Sequence, residues 1–299
     1  MIEKVFVPPI KIQGIKTKLV PFIAQNILVD ADSVWIEPFM GSGVVGFNLA
    51  PKNAIFSDTN PHIIKFYNEI KSGKITGDIA RKFLEPEGAK LNVGGAEYYY
   101  EVRERFNKKH ESLDFLFLNR SCFNGMIRFN KNYEFNVPYG HKDERFAKAY
   151  ITKIVNQIFH IQELLKKNNW NFECKSFEEA LKSVNKNSFI YCDPPYIGRH
   201  VDYYDSWTEE QEKRLFTLLN ETKANFIVST WHHNQYRKNE FIDTLWNSCN
   251  KITTEHFYFI GAKEKNRNPM TEALLSNKKF SINPFVHKKE NEQPSLFFM

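Results

Sequence analysis

Cysteine is scarce in this sequence, and the few cysteines are far apart. The chain of 299 residues contains four of them, Cys122, Cys174, Cys192 and Cys249, and no two stand in a CxxC pair. This spacing argues against a structural zinc site and against a disulfide framework. A reduced, cytoplasmic setting suits such a chain best. We therefore expect a cytoplasmic protein without a bound metal.

Long apolar segments are missing as well. No run of about 18 apolar residues occurs, so we expect no membrane-spanning helix. The segment 1–9 contains Glu3 and Lys4 and has no apolar region of the kind that a secretory signal carries. The formal net charge of +6 is mild. Between residues 261 and 289, seven Lys or Arg against two Glu would suit a polyanionic partner, or equally a solvated surface.

The sequence does contain an acid, two prolines and an aromatic residue in succession. Asp193, Pro194, Pro195 and Tyr196 follow the apolar run 188–192, which predicts a buried strand of a parallel sheet. Ligands bind at the carboxyl ends of such strands. Rigid carbonyl oxygens, a carboxylate and a flat ring suit a planar molecule with an amino group, such as a base flipped out of a helix. A Pro-Pro turn capped by a surface acid is the simpler alternative.

A second group of candidate residues surrounds a glycine turn. Phe39, Gly41 and Gly43 follow a predicted strand at 33–37, and the two glycines allow the backbone to turn tightly and approach a ligand. The turn is not a full GxGxxG dinucleotide motif. Asp58 ends the next predicted strand, where it could accept hydrogen bonds from both hydroxyls of a ribose. Its alternative role is the N-cap of the helix that follows.

Predicted strands and helices alternate as in an α/β protein, with one interruption. A mostly helical segment at about 60–146 separates the second strand from the later ones. Within it we predict two helical stretches around a glycine-containing loop at 88–95. Alternating residues at 126–130 and 133–137 predict a hairpin.

The order of these motifs resembles that of the Dam-type adenine-specific DNA methyltransferases, from about Lys11 to Tyr196. Phe-x-Gly-x-Gly and Asp-Pro-Pro-Tyr are together specific to amino-group methyltransferases, and the block from Asn124 to Gly140 is specific to the Dam-type branch. The motifs that carry the resemblance are Lys16, Phe39–Gly43, Asp58, Asn124-Gly125 with Arg128 and Asn130, Phe135–Gly140 and Asp193–Tyr196.

This resemblance implies an α/β fold: a Rossmann-like methyltransferase sheet with an inserted, mostly helical target-recognition domain. Residues 1–59 and 147–287 would form a discontinuous catalytic domain that binds S-adenosylmethionine. Residues 60–146 would form the target-recognition domain, and residues 288–299 a C-terminal tail.

The resemblance also implies roles for single residues. Lys16 would lie near the methionine end of S-adenosylmethionine and near the flipped base. Ile12 stands where the family usually has an aromatic residue, so packing against the cofactor or the base would be looser there. The implied catalytic residues are Asp193, Pro194, Pro195 and Tyr196. The implied cofactor-binding residues are Ile12, Lys16, Phe39, Gly41, Gly43, Asp58, Ser176, Phe177 and Asp193.

Four residues of the predicted hairpin region are candidates for contact with double-stranded DNA. Arg128 is the best candidate to read a guanine edge, because Arg is the commonest bidentate partner of guanine. A phosphate contact is its alternative. Phe123 matches the place where relatives carry an aromatic wedge, and core packing is its alternative. Asn124 and Pro138 flank the same hairpin.

Three functions from different classes remain open at this point. The first is methylation of the 6-amino group of adenine in DNA by a monomeric enzyme, which could belong to a restriction-modification system. The second is methylation of an amino group on RNA or protein, where a similar tetrapeptide usually begins with Asn. The third is a catalytically silent DNA-binding module. The combination of Lys16, Asp58 and Asp193 favours the first.

The C-terminal segment 288–299 contains a short peptide of its own. Gln293, Leu296 and Phe297 resemble the first and last residues of the pentapeptide that binds the bacterial sliding clamp. Such a peptide would anchor through a hydrogen bond at one end and an apolar pair at the other. Docking of this segment on the parent domain is the alternative.

Overall fold

The computed structural model describes residues 4–197, 207–257 and 269–280. Seven strands form one sheet in the order β3-β2-β1-β4-β5-β7-β6, and β7 runs antiparallel to its neighbours β5 and β6. The strands are β1 Val34–Glu37, β2 Asn53–Asp58, β3 Asn169–Cys174, β4 Ser188–Cys192, β5 Asn225–Asn234, β6 Asn250–Phe257 and β7 Pro269–Ser276. The expected α/β class with a Rossmann-like sheet is confirmed, because five of the seven strands are parallel and helices separate them along the chain.

Helices cover both faces of this sheet. Nine α-helices occur in the described ranges: α1 Val20–Asn26, α2 Val44–Leu49, α3 Pro61–Lys71, α4 Gly77–Lys109, α5 Ser112–Ser121, α6 Lys148–Lys167, α7 Phe177–Leu181, α8 Glu209–Glu221 and α9 Phe241–Thr244. Two short 3₁₀ helices span Phe123–Gly125 and Asp143–Phe146. None of the helices in this part of the chain is long and apolar enough to cross a membrane.

The central strand β4 is packed on both faces and positions the tetrapeptide that begins at Asp193. All five of its residues are buried, as expected for a parallel strand covered on both faces. Trp35 of β1 stacks on Phe189 and Tyr191 of β4, with ring centroids 5.6 Å apart in each pair. Leu215 of α8 and Trp246 after α9 belong to the core of the other face. The rigid strand therefore ends at a fixed place, immediately before Asp193.

Between β2 and β3 the chain forms the predicted mostly helical insertion. The predicted loop at 88–95 is wrong, because α4 continues through this region and departs from helical geometry only at Gly95. Gly88 is helical and lies against Phe146: a Cβ there would come within 2.4 Å of the Phe146 Cβ. This glycine thus permits close packing and does not form a turn. An ion-pair network also joins α4 to α5, since Arg105 contacts Asp114 at 2.5 Å.

The predicted hairpin is present, although with less regular pairing than expected. Phe129 bridges to Phe135, and the Asn130 amide donates to the Glu134 carbonyl at 2.9 Å. A second isolated bridge joins Cys122 to Tyr139. The 126–130 and 133–137 segments therefore pair through one isolated bridge, and no continuous ladder joins them.

Candidate active site

The candidate site lies at the carboxyl edge of the sheet, where β2, β1 and β4 end side by side. Glu37 closes β1 opposite Phe56 of β2, and Ile36 pairs with Ile190 of β4. The glycine turn follows β1, Asp58 ends β2, and Asp193 follows β4. Three segments that are far apart in the sequence thus meet at one edge.

Lys16 and Asp193 form an ion pair at this edge. The Lys16 Nζ lies 2.7 Å from Asp193 Oδ1, and the two side chains are 5% and 21% exposed. The ammonium also donates to the Gly14 carbonyl at 3.3 Å. Burial raises the pKa of Asp193, and the charge and hydrogen bond of Lys16 oppose that rise. Lys16 therefore favours the carboxylate form, which can only accept hydrogen bonds.

The rest of the tetrapeptide is held by contacts on both sides. Pro194 is buried, and Pro195 and Tyr196 are partly buried. The Lys16 ammonium lies 4.6 Å from the centroid of the Tyr196 ring. The Tyr196 hydroxyl donates a hydrogen bond to Glu272 on β7. The ring is thereby tied to strand β7 as well as to Lys16.

The glycine turn and Asp58 form the second part of the site. Gly41 and Gly43 have φ values of 49° and 76°, in the left-handed region that favours glycine. The Gly41 amide donates to Asp58 Oδ2 at 2.9 Å, and the Asn60 amide donates to Oδ1 at 2.8 Å. Asn60, not Asp58, is the N-cap of α3, since its side chain accepts from the His62 amide. Asp58 instead links the turn to the end of β2.

Aromatic rings form a wall beside this turn. Phe39 stacks on Phe177 with ring centroids 5.5 Å apart, and Trp207 meets both rings at the same centroid distance. Ser176 caps α7 through a capping box with Glu179, so its hydroxyl is engaged in the helix cap. Sequence reasoning did not single out Trp207, although an aromatic residue just before a helix with a Thr208 cap is visible in the sequence.

Ile12 contacts the glycine turn from the N-terminal segment. A Cβ added to Gly41 would lie 3.3 Å from Ile12 Cδ1, so the isoleucine covers the turn closely. The preceding residue, Lys11, is held through its backbone by the Asn119 side chain of α5. The Lys11 amide donates to Asn119 Oδ1 at 2.8 Å, and the Lys11 carbonyl accepts from Asn119 Nδ2 at 2.9 Å. The insertion is thus connected to the site through the backbone of this segment.

Glu37 is a further polar residue at this edge that sequence reasoning did not assign. Its side chain is 2% exposed and accepts a hydrogen bond from Trp35 Nε1 at 2.8 Å. Burial is the main reason that its pKa rises to about 8, and the nearby Asp193 adds to the rise. A pKa of about 8 favours the protonated form of Glu37 at neutral pH.

The hairpin candidates lie on the surface of the insertion. Arg128 donates from Nε to the Asn136 Oδ1 at 2.8 Å, which fixes the guanidinium across the hairpin. Phe123 is 49% exposed and is therefore not a core residue. Its amide donates to the carbonyl of the exposed Pro138 at 2.9 Å. Asn124 is exposed and has a left-handed backbone with φ of 53°.

Two further expectations concern the C-terminal segment and a bound metal. Gln293, Leu296 and Phe297 lie outside the described residues. Within residues 4–197, 207–257 and 269–280, no three His, Cys, Asp or Glu side chains converge as metal ligands would.

DNA adenine methylases are among the proteins that this chain resembles in sequence. A DNA adenine methylase of Escherichia coli (strain K12) is 36% identical over 191 residues, which cover 60% of this chain and 64% of that protein. The match to the DNA adenine methylase of Salmonella typhi covers 54% of this chain and 55% of that protein, at 34% identity. This chain thus spans less than two thirds of these two relatives.

Other findings cover more of the chain. The type II methyltransferase M.MjaIII of Methanocaldococcus jannaschii is 34% identical over 300 residues, which cover 90% of this chain and 98% of that protein. Residues 13–260 match the family model for D12 class N6 adenine-specific DNA methyltransferases. The chain belongs to the D12 class N6 adenine-specific DNA methyltransferase family.

Proposed function

We propose that this chain transfers a methyl group from S-adenosylmethionine to the 6-amino group of an adenine flipped out of double-stranded DNA. The observation that carries this proposal is the Asp193 carboxylate, which follows buried strand β4, precedes two prolines and lies 2.7 Å from the Lys16 ammonium. Family membership gives the reaction class. We also expect the enzyme to act as a cytoplasmic monomer.

The chemistry requires two hydrogen-bond acceptors beside the reacting nitrogen. An adenine amino nitrogen is a poor nucleophile because its lone pair is conjugated with the ring. The Asp193 carboxylate and the Pro194 carbonyl would accept its two N–H groups, which favours a pyramidal nitrogen with a free lone pair. The same oxygens would stabilise the positive charge that develops on the nitrogen while the bond from the methyl group to the sulfonium sulfur breaks. The methylated nitrogen would then lose one proton to solvent. Lys16 would keep Asp193 ionised despite its burial.

The residues around the glycine turn fit the methyl donor that the family implies. S-adenosylmethionine supplies an electrophilic methyl group on a sulfonium. The Asp58 carboxylate could accept hydrogen bonds from ribose hydroxyls while it holds Gly41. Phe39 and Phe177 offer apolar rings for the adenine. The order β2-β1-β4 separates the ends of β2 and β4 by two strand spacings, about 10 Å, which allows one elongated ligand to reach from Asp58 to Asp193.

The insertion would supply the contacts to the DNA duplex. Arg128 is preoriented by Asn136, and a preoriented guanidinium loses little freedom when it binds a guanine edge. Half-exposed Phe123 could wedge into the base stack that the flipped adenine leaves. Tyr196 would stack on the flipped base and offset part of an unstacking cost of a few kcal/mol.

A role in a restriction-modification system is a second, more specific proposal. It is favoured by the similarity to M.MjaIII, a type II methyltransferase, along nearly the whole of that protein. A methylase of this kind would protect one short sequence wherever it occurs in the host DNA. Methylation of RNA or protein, or a silent DNA-binding role, has no such support.

The test is a methyl-transfer assay with labelled S-adenosylmethionine and three acceptors: unmethylated DNA, RNA of the same sequence, and a protein mixture. We expect label in DNA adenine alone, and none with Asp193→Ala. Single-molecule sequencing of DNA from cells that express the chain would then give the target site. Label in RNA or protein but not in DNA would contradict the proposal, and so would full activity of Asp193→Ala.

A further inference from the structure

The side chain of Tyr196 is connected to a buried carboxylate from a distant strand. Its hydroxyl donates a hydrogen bond to Oε2 of Glu272, a residue of β7 that is 76 positions later in the sequence. Glu272 is 2% exposed. The contact therefore joins the last residue of the tetrapeptide to the interior of the antiparallel part of the sheet.

A second hydrogen bond from the same strand pair reaches the next residue. Trp231 of β5 is the direct partner of Glu272 in the register of β5 and β7. Side chains that are directly opposite in an antiparallel pair lie on the same face of the sheet. The Trp231 Nε1 donates to the Ile197 carbonyl at 3.2 Å. The facing residues Glu272 and Trp231 thus contact two consecutive residues. Glu272 contacts the side chain of Tyr196, and Trp231 contacts the backbone of Ile197.

Packing alone does not explain a carboxylate at position 272. The three residues that follow, Ala273, Leu274 and Leu275, are apolar and buried, and an apolar residue would fill the position of Glu272 as well. A buried carboxylate is costly unless it is paired. Glu272 also lies close enough to raise the pKa of Asp193 and of Tyr191. The hydrogen bond from the Tyr196 hydroxyl is one contribution that offsets these costs.

We propose that Glu272 is a positioning residue that fixes the ring of Tyr196 for stacking against the flipped adenine. This inference rests on the proposed function and deepens it. Trp231 supports the same segment by holding the backbone of Ile197. With Lys16 placed 4.6 Å from the ring centroid and Glu272 on the hydroxyl, the ring is restrained at its face and at its far end. The base then meets a ring whose orientation is already set.

The test compares Tyr196→Phe, Glu272→Leu and the double variant in single-turnover methyl transfer. Tyr196→Phe keeps the ring and removes only the hydrogen bond, so we expect the rate to fall about tenfold. The rate of Glu272→Leu should fall by a similar factor, and the double variant should be no slower than either single variant. Glu272→Gln retains an acceptor oxygen and should restore most of the rate.

Three further measurements separate positioning from general damage. The affinity for S-adenosylmethionine should be unchanged in every variant. The fluorescence of a 2-aminopurine placed at the target adenine should report weaker stacking in Tyr196→Phe and in Glu272→Leu. Glu255→Gln removes an exposed carboxylate from the neighbouring strand β6 and serves as the matched control, with a rate equal to that of the wild type.

A wild-type rate in Tyr196→Phe, or losses that multiply in the double variant, would overturn the inference. Because Tyr196→Phe leaves the core intact, this outcome is decisive even where Glu272→Leu does not fold. A wild-type protein that methylates no DNA overturns the proposed function instead. In that case a double-mutant cycle on the free energy of unfolding in urea still tests the contact between Tyr196 and Glu272, since this measurement needs no turnover. Additive effects of the two substitutions on that free energy would disprove the contact.

Discussion

The Lys16 ammonium lies 2.7 Å from the Asp193 carboxylate, so the N-terminal segment and strand β4 share one ion pair at the edge of the sheet. Both side chains are largely buried, so this is not an ion pair of the protein surface. The pair gives Asp193 a cationic neighbour at Oδ1. This arrangement suits a hydrogen-bond acceptor better than a proton donor.

The first prediction concerns Asp193 itself. Asp193→Ala should lower methyl transfer by a hundredfold or more, because it removes a positioned acceptor from the reacting amino group. The affinity for S-adenosylmethionine, measured by calorimetry, should fall much less. Asp193→Asn is the matched control, since its amide keeps one oxygen but has no charge. Its methyl-transfer rate should lie between that of the wild type and that of Asp193→Ala. Turnover of Asp193→Ala within about tenfold of the wild type would contradict the assigned role.

Strand β4 and the residues after it could be predicted from sequence because two independent signals coincide there. A continuous apolar run predicts a strand buried on both faces, and the acid and prolines that follow mark its carboxyl end. The Lys16–Asp193 contact has no such signal, because nothing in their separation along the chain indicates proximity. The resemblance to a family implies only that Lys16 lies near the methionine end of S-adenosylmethionine and near the flipped base.

Other parts of the fold could not be predicted for identifiable physical reasons. Strands β6 and β7 contain Thr, Glu, His and Lys among their apolar residues, so no clear alternation marks them. Glu272 was missed for the same reason, since an acid in an unrecognised strand has no context. The error at 88–95 arose because Gly88 serves close approach to Phe146, and local sequence does not distinguish such a glycine from a turn.

The second prediction is that Asp58→Ala weakens S-adenosylmethionine binding by about 1.5–3 kcal/mol, because it removes a charged acceptor from the ribose hydroxyls. Asp58 also accepts from the Gly41 and Asn60 amides, so loss of the turn must be separated from loss of the ligand contact. Asn60→Ala removes the N-cap of α3 and should reduce thermal stability with little effect on cofactor affinity. Equal cofactor affinities for Asp58→Ala and the wild type, measured by calorimetry, would restrict Asp58 to holding the turn.

The third prediction concerns the dependence of stability on pH. Burial raises the pKa of Glu37 from 4.5 to about 8 in the folded protein. Between these values the unfolded chain releases a proton that the folded chain keeps, so this group lowers stability as pH rises, by at most about 1.4 kcal/mol per pH unit. Below 4.5 and above about 8 its contribution is constant.

Glu37→Gln tests this linkage, because glutamine is always neutral and can still accept from Trp35 Nε1. The free energy of unfolding in urea should be similar for the two proteins near pH 5, and the variant should become the more stable one as pH approaches 8. Taking the difference between the proteins cancels the titration of the groups that do not interact with Glu37. Two curves that stay parallel from pH 5 to pH 8 would show that Glu37 titrates normally.

The fourth prediction is that the methylated adenine lies next to a guanine read by Arg128. Arg128→Ala should weaken binding to the cognate site by about 1–3 kcal/mol and should change binding to scrambled DNA much less. Lys131→Ala, at the exposed turn of the same hairpin, is the matched control and should weaken both equally. If Arg128→Ala also lowers both affinities by the same factor, Arg128 contacts phosphate.

The last prediction concerns the segment 288–299, which lies outside the described residues. We propose that Gln293, Leu296 and Phe297 bind the sliding clamp of the host, with the glutamine amide forming hydrogen bonds and the Leu-Phe pair filling an apolar groove. Surface plasmon resonance of the full chain over immobilised clamp should give a dissociation constant below about 100 μM. A variant with Leu296→Ala and Phe297→Ala should lose this binding and keep its methyl-transfer rate on short DNA, because the pair lies outside the sequence motifs assigned to catalysis. A clamp affinity that the double substitution leaves unchanged would assign the binding to another part of the chain, and the absence of binding by the wild type at that concentration would favour docking of the segment on its own domain.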